Sequence, residues 1–347
     1  EDNPLETILQ LSQVTRQGLM AIDRDSDDED EDSDSDSDSD GGSDDNAINR
    51  LVRAADDGDA AAVYALLSTS DFDCNALDED GTTALVQAAA HDHEDVVALL
   101  LRHPGIDVDR ARDDGVTPLI NAAAEGNTDA VDRLLAAGAR IDCADDDGDT
   151  ALFVAANNGY APVVRSICKK IVETGQLECL NQPSGRNRKV TPLMGATDVD
   201  CAQALVDAGA SLEAVNSFGE TVLMTAVLVA SCDVISALIS AGARLDARTC
   251  FYGETALHLA VARGDSQQVE LLISSGAEVN AADDYGCTPL SHAAKAGRLD
   301  LVSCLLSKRA DPNTADLRQE SPLLVARRAG HGHIVSALLA AGPDSES

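Results

Sequence analysis

A segment of the form G-x-T-P-L recurs along most of this chain, and its spacing constrains the fold more than any other feature. GVTPL at 115–119 is followed by GDTAL at 148–152, and GETAL at 253–257 is followed by GCTPL at 286–290 and QESPL at 319–323. The eight copies begin at Gly81, Gly115, Gly148, Lys189, Gly219, Gly253, Gly286 and Gln319. A regular period of about 33 residues indicates a stack of similar small units rather than one large core.

Each copy has the pattern of two short helices joined by a tight turn. In the copy that begins at Gly253, Thr255 can cap a first helix over residues 256–262, and Gly264 ends it. A second apolar stripe follows, formed by Val269, Leu272 and Ile273. One such pair cannot bury its own stripe, so its stability must come from neighbouring pairs. With 2% aromatic and 44% hydrophobic residues, the chain must build thin layers from Ala, Leu and Val.

The sequence resembles the ankyrin-repeat family, whose units of about 33 residues carry a T-P-L-H-x-A motif. TALHLA at residues 255–260 departs from that motif only by Ala for Pro. The resemblance implies an all-α ankyrin-repeat solenoid of stacked helix-turn-helix units with hairpin-like loops, preceded by a disordered acidic segment. The predicted organisation is a short amphipathic segment at 1–22, a disordered Asp/Ser tract at 23–45, an N-terminal capping repeat at 46–80, the repeat array at 81–342 and a polar tail at 343–347.

Two spacings depart from the period. The step from Gly148 to Lys189 is longer than the regular step, whereas the step from Lys189 to Gly219 is shorter. We therefore expect an insertion before Lys189 and, after it, a unit that is shortened in its helical turn. The longer spacing also contains a basic loop with the side chains of Arg186, Arg188 and Lys189.

The acidity of the chain is concentrated near its start. The formal net charge is −36, and residues 23–45 contribute −13 of it. This tract has almost no apolar residues, so it cannot bury a core and is predicted to be disordered. Its candidate phosphorylation sites, each with an acidic residue three positions on, are Ser26, Ser33, Ser35 and Ser37. The tract is either regulatory or only a solubilising spacer.

Charge and composition exclude several functional classes. A strongly negative chain repels phosphates, so we predict no direct nucleic-acid partner, and no apolar run reaches about 18 residues, so we predict no membrane span. The nine cysteines are scattered without a CxxC pair, which indicates a reducing compartment. We predict a cytoplasmic location, with the nucleus as the alternative. The pairs His91/His93 and His331/His333 have the spacing of metal ligands, but the repeat accounts for one histidine of each, because His93 and His331 occupy its turn position. We therefore expect no metal and no cofactor.

The sequence also contains no catalytic motif. The nucleophile elbow, the zinc-protease HExxH pattern, the P-loop and the dinucleotide-binding GxGxxG are all absent from it. We predict that the chain is not an enzyme and has no catalytic residues.

The resemblance implies that a partner protein binds at the hairpin tips and at the ends of the first helices, on the concave face. The predicted acidic contacts are Glu79, Asp80, Asp113, Asp114, Asp146 and Asp147. The predicted aromatic contacts are Phe218, Phe251, Tyr252 and Tyr285. The cations that surround these aromatic residues are Arg263, Lys295, Arg318 and Arg328.

Three functional hypotheses are compatible with this surface. The first is a non-catalytic scaffold or adaptor that binds one or more proteins and is monomeric by itself. The second is a substrate-recruiting or regulatory subunit of an enzyme complex, such as a ubiquitin ligase or a phosphatase. The third is an acidic, chaperone-like binder of proteins with a basic segment. Salt-sensitive binding would favour the third, since exposed charges are screened by salt.

Overall fold

The structure is a computed structural model that describes residues 43–69, 73–185 and 189–341. Over these ranges it contains eighteen α-helices, one short 3-10 helix and no strand beyond two isolated bridges. The chain divides into two compact units, one with residues 43–185 and the other with residues 189–341. The predicted all-α class is confirmed. No helix in the described ranges is both long enough and apolar enough to cross a membrane.

The first unit consists of four helical pairs. Its helices are α1 (Ser43–Asp56), α2 (Ala60–Thr69), α3 (Ala84–Ala90), α4 (Glu94–Leu100), α5 (Pro118–Glu125), α6 (Thr128–Ala137), α7 (Ala151–Asn157) and α8 (Ala161–Thr174). The 3-10 helix, Leu177–Asn181, follows α8. Helix α1 begins three residues before the predicted start of the capping repeat, whereas residues 1–42 lie outside the described ranges.

The second unit consists of five helical pairs. Its helices are α9 (Pro192–Gly195), α10 (Val199–Ala208), α11 (Val222–Val229), α12 (Cys232–Ser240), α13 (Ala256–Arg263), α14 (Ser266–Ser274), α15 (Pro289–Lys295), α16 (Leu299–Ser307), α17 (Pro322–Ala329) and α18 (Gly332–Ala341). The two helices predicted from the copy at Gly253 are therefore present as α13 and α14.

The recurrent Thr of each copy starts the first helix of its pair. In α5, the Thr117 hydroxyl accepts a hydrogen bond from Ile120 N at 3.2 Å, and Pro118 fills the first helical position, where a backbone N–H is not needed. Thr255 uses a capping box instead, since its own N–H donates to His258 Nδ1 at 3.2 Å. Side-chain caps of the Thr117 kind also occur at Thr83, Thr150, Thr191, Thr221, Thr288 and Ser321.

Stacking of like helices on like helices forms the core within each unit. Helix α5 packs against α3 and α7, and α6 packs against α4 and α8; in the second unit α15 packs in the same way against α13 and α17. The first helices present fully buried alanines to each other, for example Ala88, Ala89, Ala122, Ala123, Ala155 and Ala156. Small side chains let the helix backbones approach closely, which explains how the chain folds with so few aromatic residues.

The two irregular spacings have simple structural causes. The excess before Lys189 is taken up by α8, which has 14 residues, and by the 3-10 helix after it. The deficit after Lys189 falls on α9, which has only four residues. The repeat after Lys189 is thus shortened as expected, but in its first helix. The insertion lies largely before the basic loop.

In several helical pairs, a side chain at the turn between the two helices contacts the last carbonyl of the first helix in the preceding repeat. His93 Nε2 lies 2.6 Å from the carbonyl oxygen of Asp56, and His331 Nε2 lies 3.3 Å from that of Lys295. At the corresponding turn, Asn127 Nδ2 donates to the carbonyl oxygen of Ala90 at 2.6 Å. The last carbonyls of a helix lack intrahelical partners, so these contacts satisfy them. Both histidines therefore have the structural role that their turn positions indicated.

Candidate functional site

A hairpin-like loop precedes the first helix of each repeat, and an aspartate or asparagine shapes most of these loops. Asp283 N donates to the Cys287 carbonyl at 2.9 Å, and Asp283 Oδ1 accepts from Tyr285 N at 2.9 Å and Cys287 N at 2.8 Å. Such side-chain bonds fix a tight turn. The same pair of bonds is made by Asp78, Asp145, Asn216 and Asp316. Some of the aspartates in these loops therefore stabilise the turn.

Backbone hydrogen bonds join the tips of successive hairpins. In the first unit, Asp113 N donates to the Gly81 carbonyl at 3.1 Å and Asp146 N to the Asp114 carbonyl at 3.0 Å. In the second unit, Asp284 N donates to the Tyr252 carbonyl at 2.8 Å and Leu317 N to the Tyr285 carbonyl at 2.9 Å. Each unit thus presents its tips as a connected row with side chains at regular intervals.

The first unit carries the predicted acidic side chains at these tips. All six are exposed, and we call them the acidic tip row: Glu79, Asp80, Asp113, Asp114, Asp146 and Asp147. Some of them have contacts within the chain; for example, Glu79 Oε1 accepts from Asn49 Nδ2 at 2.6 Å and Asp114 Oδ2 lies 2.8 Å from Arg112 Nη2. The row remains a strongly negative, solvated surface.

The four predicted aromatic residues differ in exposure. Phe251 is 64% exposed and Tyr285 is 52% exposed, whereas Phe218 and Tyr252 are less exposed. The rings of Tyr252 and Tyr285 lie 6.2 Å apart with an interplanar angle of 33°, so one tip partly covers the next. Phe251 and Tyr285 are therefore the two most exposed of the four.

Leu317 is a tip residue that the sequence reasoning missed. It is 74% exposed and occupies the hairpin after that of Tyr285. Leu317 lies two residues before Gln319, just as Phe251 lies two residues before Gly253, so the two occupy equivalent positions in their copies. Comparing tip positions for all large apolar residues, rather than for aromatics alone, would have identified it. Phe251, Tyr285 and Leu317 are called the apolar tip row below.

The predicted cations occupy different environments. Arg263 Nη1 donates to the Val227 carbonyl at 3.0 Å, and Arg328 forms an ion pair with Glu320. Lys295 and Arg318 are exposed near the hairpins. Lys189 is exposed with a φ of 52°, whereas Arg186 and Arg188 lie outside the described residues, as do Ser26, Ser33, Ser35 and Ser37.

Two half-buried carboxyl groups in the loop of the third full repeat have raised pKa values. Burial is the main cause that raises the pKa of Asp145 above its usual value of 3.8, and the charge of Asp149 adds to the effect. Burial likewise raises the pKa of Asp149, although the Ser184 hydroxyl donates to this carboxylate and opposes the shift. The ionised forms of these two groups are therefore disfavoured in the folded protein.

One cluster in the described ranges brings together three side chains with metal-ligating atoms. Asp283, Cys287 and His292 hold donor atoms that all lie within 4.8 Å of one another. Burial and the charges of Asp283 and Asp316 raise the pKa of the Cys287 thiol to about 11. The nearby His258 is committed elsewhere: Nδ1 accepts from Thr255 N, and Nε2 lies 3.2 Å from the Cys287 carbonyl. Burial, followed by the charge of His292, lowers the pKa of His258 to about 4, so its ring is neutral at pH 7.

Comparison with known proteins identifies the repeat. The family model described as ankyrin repeats (3 copies) matches the overlapping segments 51–145, 105–178, 120–215, 193–283, 223–316 and 257–347. No curated protein is a significant match to the chain. Among solved structures, the ankyrin repeat domain of human ASB11 is similar with a TM-score of 0.54 and 24% sequence identity, covering 66% of this chain and 98% of that one. This likeness shows the shared fold. Because the family model matches throughout residues 51–347, the protein belongs to the ankyrin-repeat family.

Proposed function

We propose that this chain is a non-catalytic scaffold or adaptor that binds a partner protein through the apolar tip row. Ankyrin repeats generally mediate protein–protein interaction, and the proposal assigns that activity to three side chains of the second unit. The observation that carries it is the exposure of Phe251 (64%), Tyr285 (52%) and Leu317 (74%) on hairpin tips.

Exposed large apolar side chains on adjoining tips have the chemistry of an interface core. A single exposed leucine or phenylalanine needs no explanation, but three large apolar side chains on hairpins joined tip to tip form a candidate contact surface. Aromatic anchors ringed by polar groups contribute most of the binding energy in many interfaces. Arg318 and Asp284 flank the row at the tips, and Asp284 is paired with Arg248 Nη2 at 2.8 Å. The surroundings thus supply the polar rim that an apolar anchor needs.

The acidic tip row supports a second candidate function, the binding of a protein with a basic segment. Its six carboxylates are exposed on three successive hairpins, so an extended basic peptide would meet a negative group at each repeat. Attraction of this kind mainly increases the association rate and weakens as salt is added. The two candidates use different units of the chain and can be tested separately.

The test compares captured proteins for three immobilised chains. One is unchanged, one carries Phe251→Ala, Tyr285→Ala and Leu317→Ala, and one carries the control changes Tyr64→Ala and Leu339→Ala, which remove exposed apolar side chains away from the tips. We expect a partner that the unchanged and control chains retain at both low and high salt. The chain with the altered apolar tip row should lose that partner while keeping its helical circular dichroism.

Two outcomes would contradict the proposal. Equal capture by all three chains would exclude the apolar tip row as the anchor. Partners that are released as salt rises, and that are lost on neutralising the acidic tip row with Asp113→Asn, Asp114→Asn and Asp147→Asn, would instead support the second candidate.

A further inference from the structure

We propose that Asp283, Cys287 and His292, with Asp316 from the next hairpin, form a binding site for Zn²⁺. The site would join two successive repeats of the second unit through side chains. It is separate from the apolar tip row in its chemistry, although Tyr285 lies in the same hairpin loop as Asp283 and Cys287.

The first element of the site is a buried carboxylate with one oxygen already fixed. Asp283 Oδ1 accepts two backbone hydrogen bonds in its turn, so the group cannot rotate freely. Its other oxygen, Oδ2, lies 3.0 Å from His292 Nε2. The side chains of Asp283 and His292 are only 4% and 14% exposed. An aspartate oxygen and an imidazole nitrogen are thus held in fixed positions and largely shielded from solvent.

The second element is a sulfur atom between two aspartates. Cys287 Sγ is within 4.8 Å of the donor atoms of Asp283 and His292, and it lies 4.0 Å from Asp316 Oδ2. Asp316 repeats the role of Asp283 one hairpin later, since its Oδ1 accepts from Arg318 N and Glu320 N at 2.8 Å each. Its Oδ2 is the oxygen nearest Cys287. Two fixed aspartates therefore contribute one oxygen each to the surroundings of the thiol.

The ligand set favours zinc over the hard cations. Tetrahedral Zn²⁺ holds oxygen and nitrogen ligands at about 2.0–2.2 Å and sulfur at about 2.3 Å, which places ligand atoms about 3.3–3.6 Å from one another. The Asp283–His292 distance of 3.0 Å is close to that range. Cys287 Sγ lies within 4.8 Å of both atoms and is carried by a short side chain with one rotatable bond, so it can approach a shared ion by rotation. Thiolate and imidazole ligands suit Zn²⁺, whereas Mg²⁺ and Ca²⁺ take oxygen ligands.

The repeat pattern accounts for the aspartates but not for the cysteine and the histidine. Aspartate at the position of Asp283 shapes several hairpins of this chain, so its presence needs no ligand. Cys287 stands where other copies have Val116, Asp149, Glu220 or Glu254, and His292 stands where they have Asn121, Val154, Thr225 or Leu259. Cys287 contributes only its backbone to the hairpin turn, so the turn does not require a thiol there. Only this copy combines a thiol with an imidazole. The site escaped the sequence reasoning because its spacing is not that of a zinc ligand pair.

Cobalt titration of the full chain provides the first test. The chain is reduced, freed of metal with a chelator and titrated with Co²⁺, which takes the same ligands as Zn²⁺ and shows a near-ultraviolet charge-transfer band when a thiolate binds it. We expect this band to saturate and to vanish on addition of Zn²⁺. Absence of the band in the unchanged chain would overturn the proposal.

Matched variants assign the ligands. Cys287→Ser should abolish the charge-transfer band, whereas Cys304→Ser, a half-buried cysteine outside the cluster, should leave it unchanged. His292→Gln should weaken Zn²⁺ binding by roughly tenfold or more. Asp316→Asn keeps an oxygen that can accept the two turn hydrogen bonds. It should weaken Zn²⁺ binding but leave the charge-transfer band of Co²⁺, since the thiolate is still present. A band that survives Cys287→Ser, or affinity unaffected by His292→Gln, would place any bound metal elsewhere.

A measurement on the unchanged chain guards against misfolded variants. Thiol alkylation followed by mass spectrometry reports each cysteine separately. Zn²⁺ should slow the alkylation of Cys287 without protecting Cys250, which is exposed at a neighbouring hairpin. Protection of other cysteines in place of Cys287 would contradict the site.

Discussion

Gln319 has a φ of 64° at the position that glycine takes in most other hairpins of this protein. A side chain in the left-handed region costs about 1–2 kcal/mol, and glycine avoids that cost at a smaller entropic penalty. Gly286, the corresponding residue one repeat earlier, has a φ of 79°, and a Cβ placed there would lie 3.0 Å from Leu317 N. The described part of the chain contains no hairpin after that of Gln319, so the Gln319 side chain has no next hairpin to clash with.

At the residue scale we therefore predict opposite effects at these two positions. Gln319→Gly should raise the free energy of unfolding by about 0.5–1 kcal/mol, because the backbone strain is relieved. Gly286→Ala should lower the free energy of unfolding by more than about 1 kcal/mol, because alanine is strained at this positive φ and its Cβ would press against the backbone of the next hairpin. Urea unfolding followed by circular dichroism measures both. A loss of stability in Gln319→Gly would show that its left-handed conformation is not strained.

At the scale of the element, the carboxylates of a hairpin loop have two different roles: some accept the hydrogen bonds that shape the loop, and others are exposed at its tip. Asp145 Oδ1 accepts hydrogen bonds from Asp147 N at 3.0 Å and Asp149 N at 2.8 Å, whereas the Asp147 side chain is exposed at the tip. The two carboxylates are two residues apart in sequence, yet only one of them builds the loop. From the sequence alone, the acid of these loops is interpreted mainly as a binding surface.

At the element scale, Asp145→Ala should lower the free energy of unfolding by about 1–3 kcal/mol, since two loop N–H groups lose their acceptor. Asp145→Asn keeps the acceptor and removes a charge that burial disfavours, so it should be at least as stable as the unchanged chain at pH 7. The control Asp147→Ala should change stability by less than about 0.5 kcal/mol. Equal destabilisation by Asp145→Ala and Asp147→Ala in urea titrations would refute this distinction.

The same loop predicts a pH dependence. Because the pKa of Asp145 is raised in the folded state, the folded chain binds more protons than the unfolded chain between the usual value of 3.8 and the raised value. Its ionisation therefore lowers stability as pH rises through this window. The advantage of Asp145→Asn should be largest at pH 7 and should disappear below about pH 3.8. Thermal unfolding of both chains at a series of pH values tests this, and a constant difference would contradict it.

At the scale of the whole molecule, the net charge is −36, and −13 of it lies in residues 23–45. Repeat proteins have contacts mainly between neighbouring repeats, so repulsion between acidic groups on neighbouring repeats opposes their stacking. The acidic tip row places six carboxylates on three adjoining hairpins of one unit. Screening should therefore stabilise the protein.

We expect the midpoint of thermal unfolding to rise as sodium chloride increases from about 0.01 M to about 0.15 M, which shortens the Debye length from about 30 Å to about 8 Å. Each kcal/mol of relieved repulsion should raise the midpoint by about 2–4 °C. Potassium chloride at equal ionic strength serves as the control and should act identically. A midpoint that falls with salt would mean that attractive ion pairs outweigh the repulsion.

The sequence by itself determined the period, the helical pairs, their Thr caps and the alanine core. These features depend on residues that are close in sequence and on the regular recurrence of the G-x-T-P-L segment, and both can be read from the amino-acid sequence. It also located the hairpin tips and, with them, Phe251 and Tyr285 as candidate contacts.

Only the tertiary structure decided how far each tip side chain is exposed. Tyr252 and Tyr285 are in ring contact, yet Tyr285 remains 52% exposed while Tyr252 is less exposed. Leu317, 74% exposed on the hairpin whose backbone bonds to the Tyr285 carbonyl, completes the apolar tip row. The cluster of Asp283, Cys287 and His292 with Asp316 likewise arises from a loop packed against its own helix and the following hairpin. Exposure and donor-atom distances depend on how successive repeats stack, and that stacking is not contained in any one repeat.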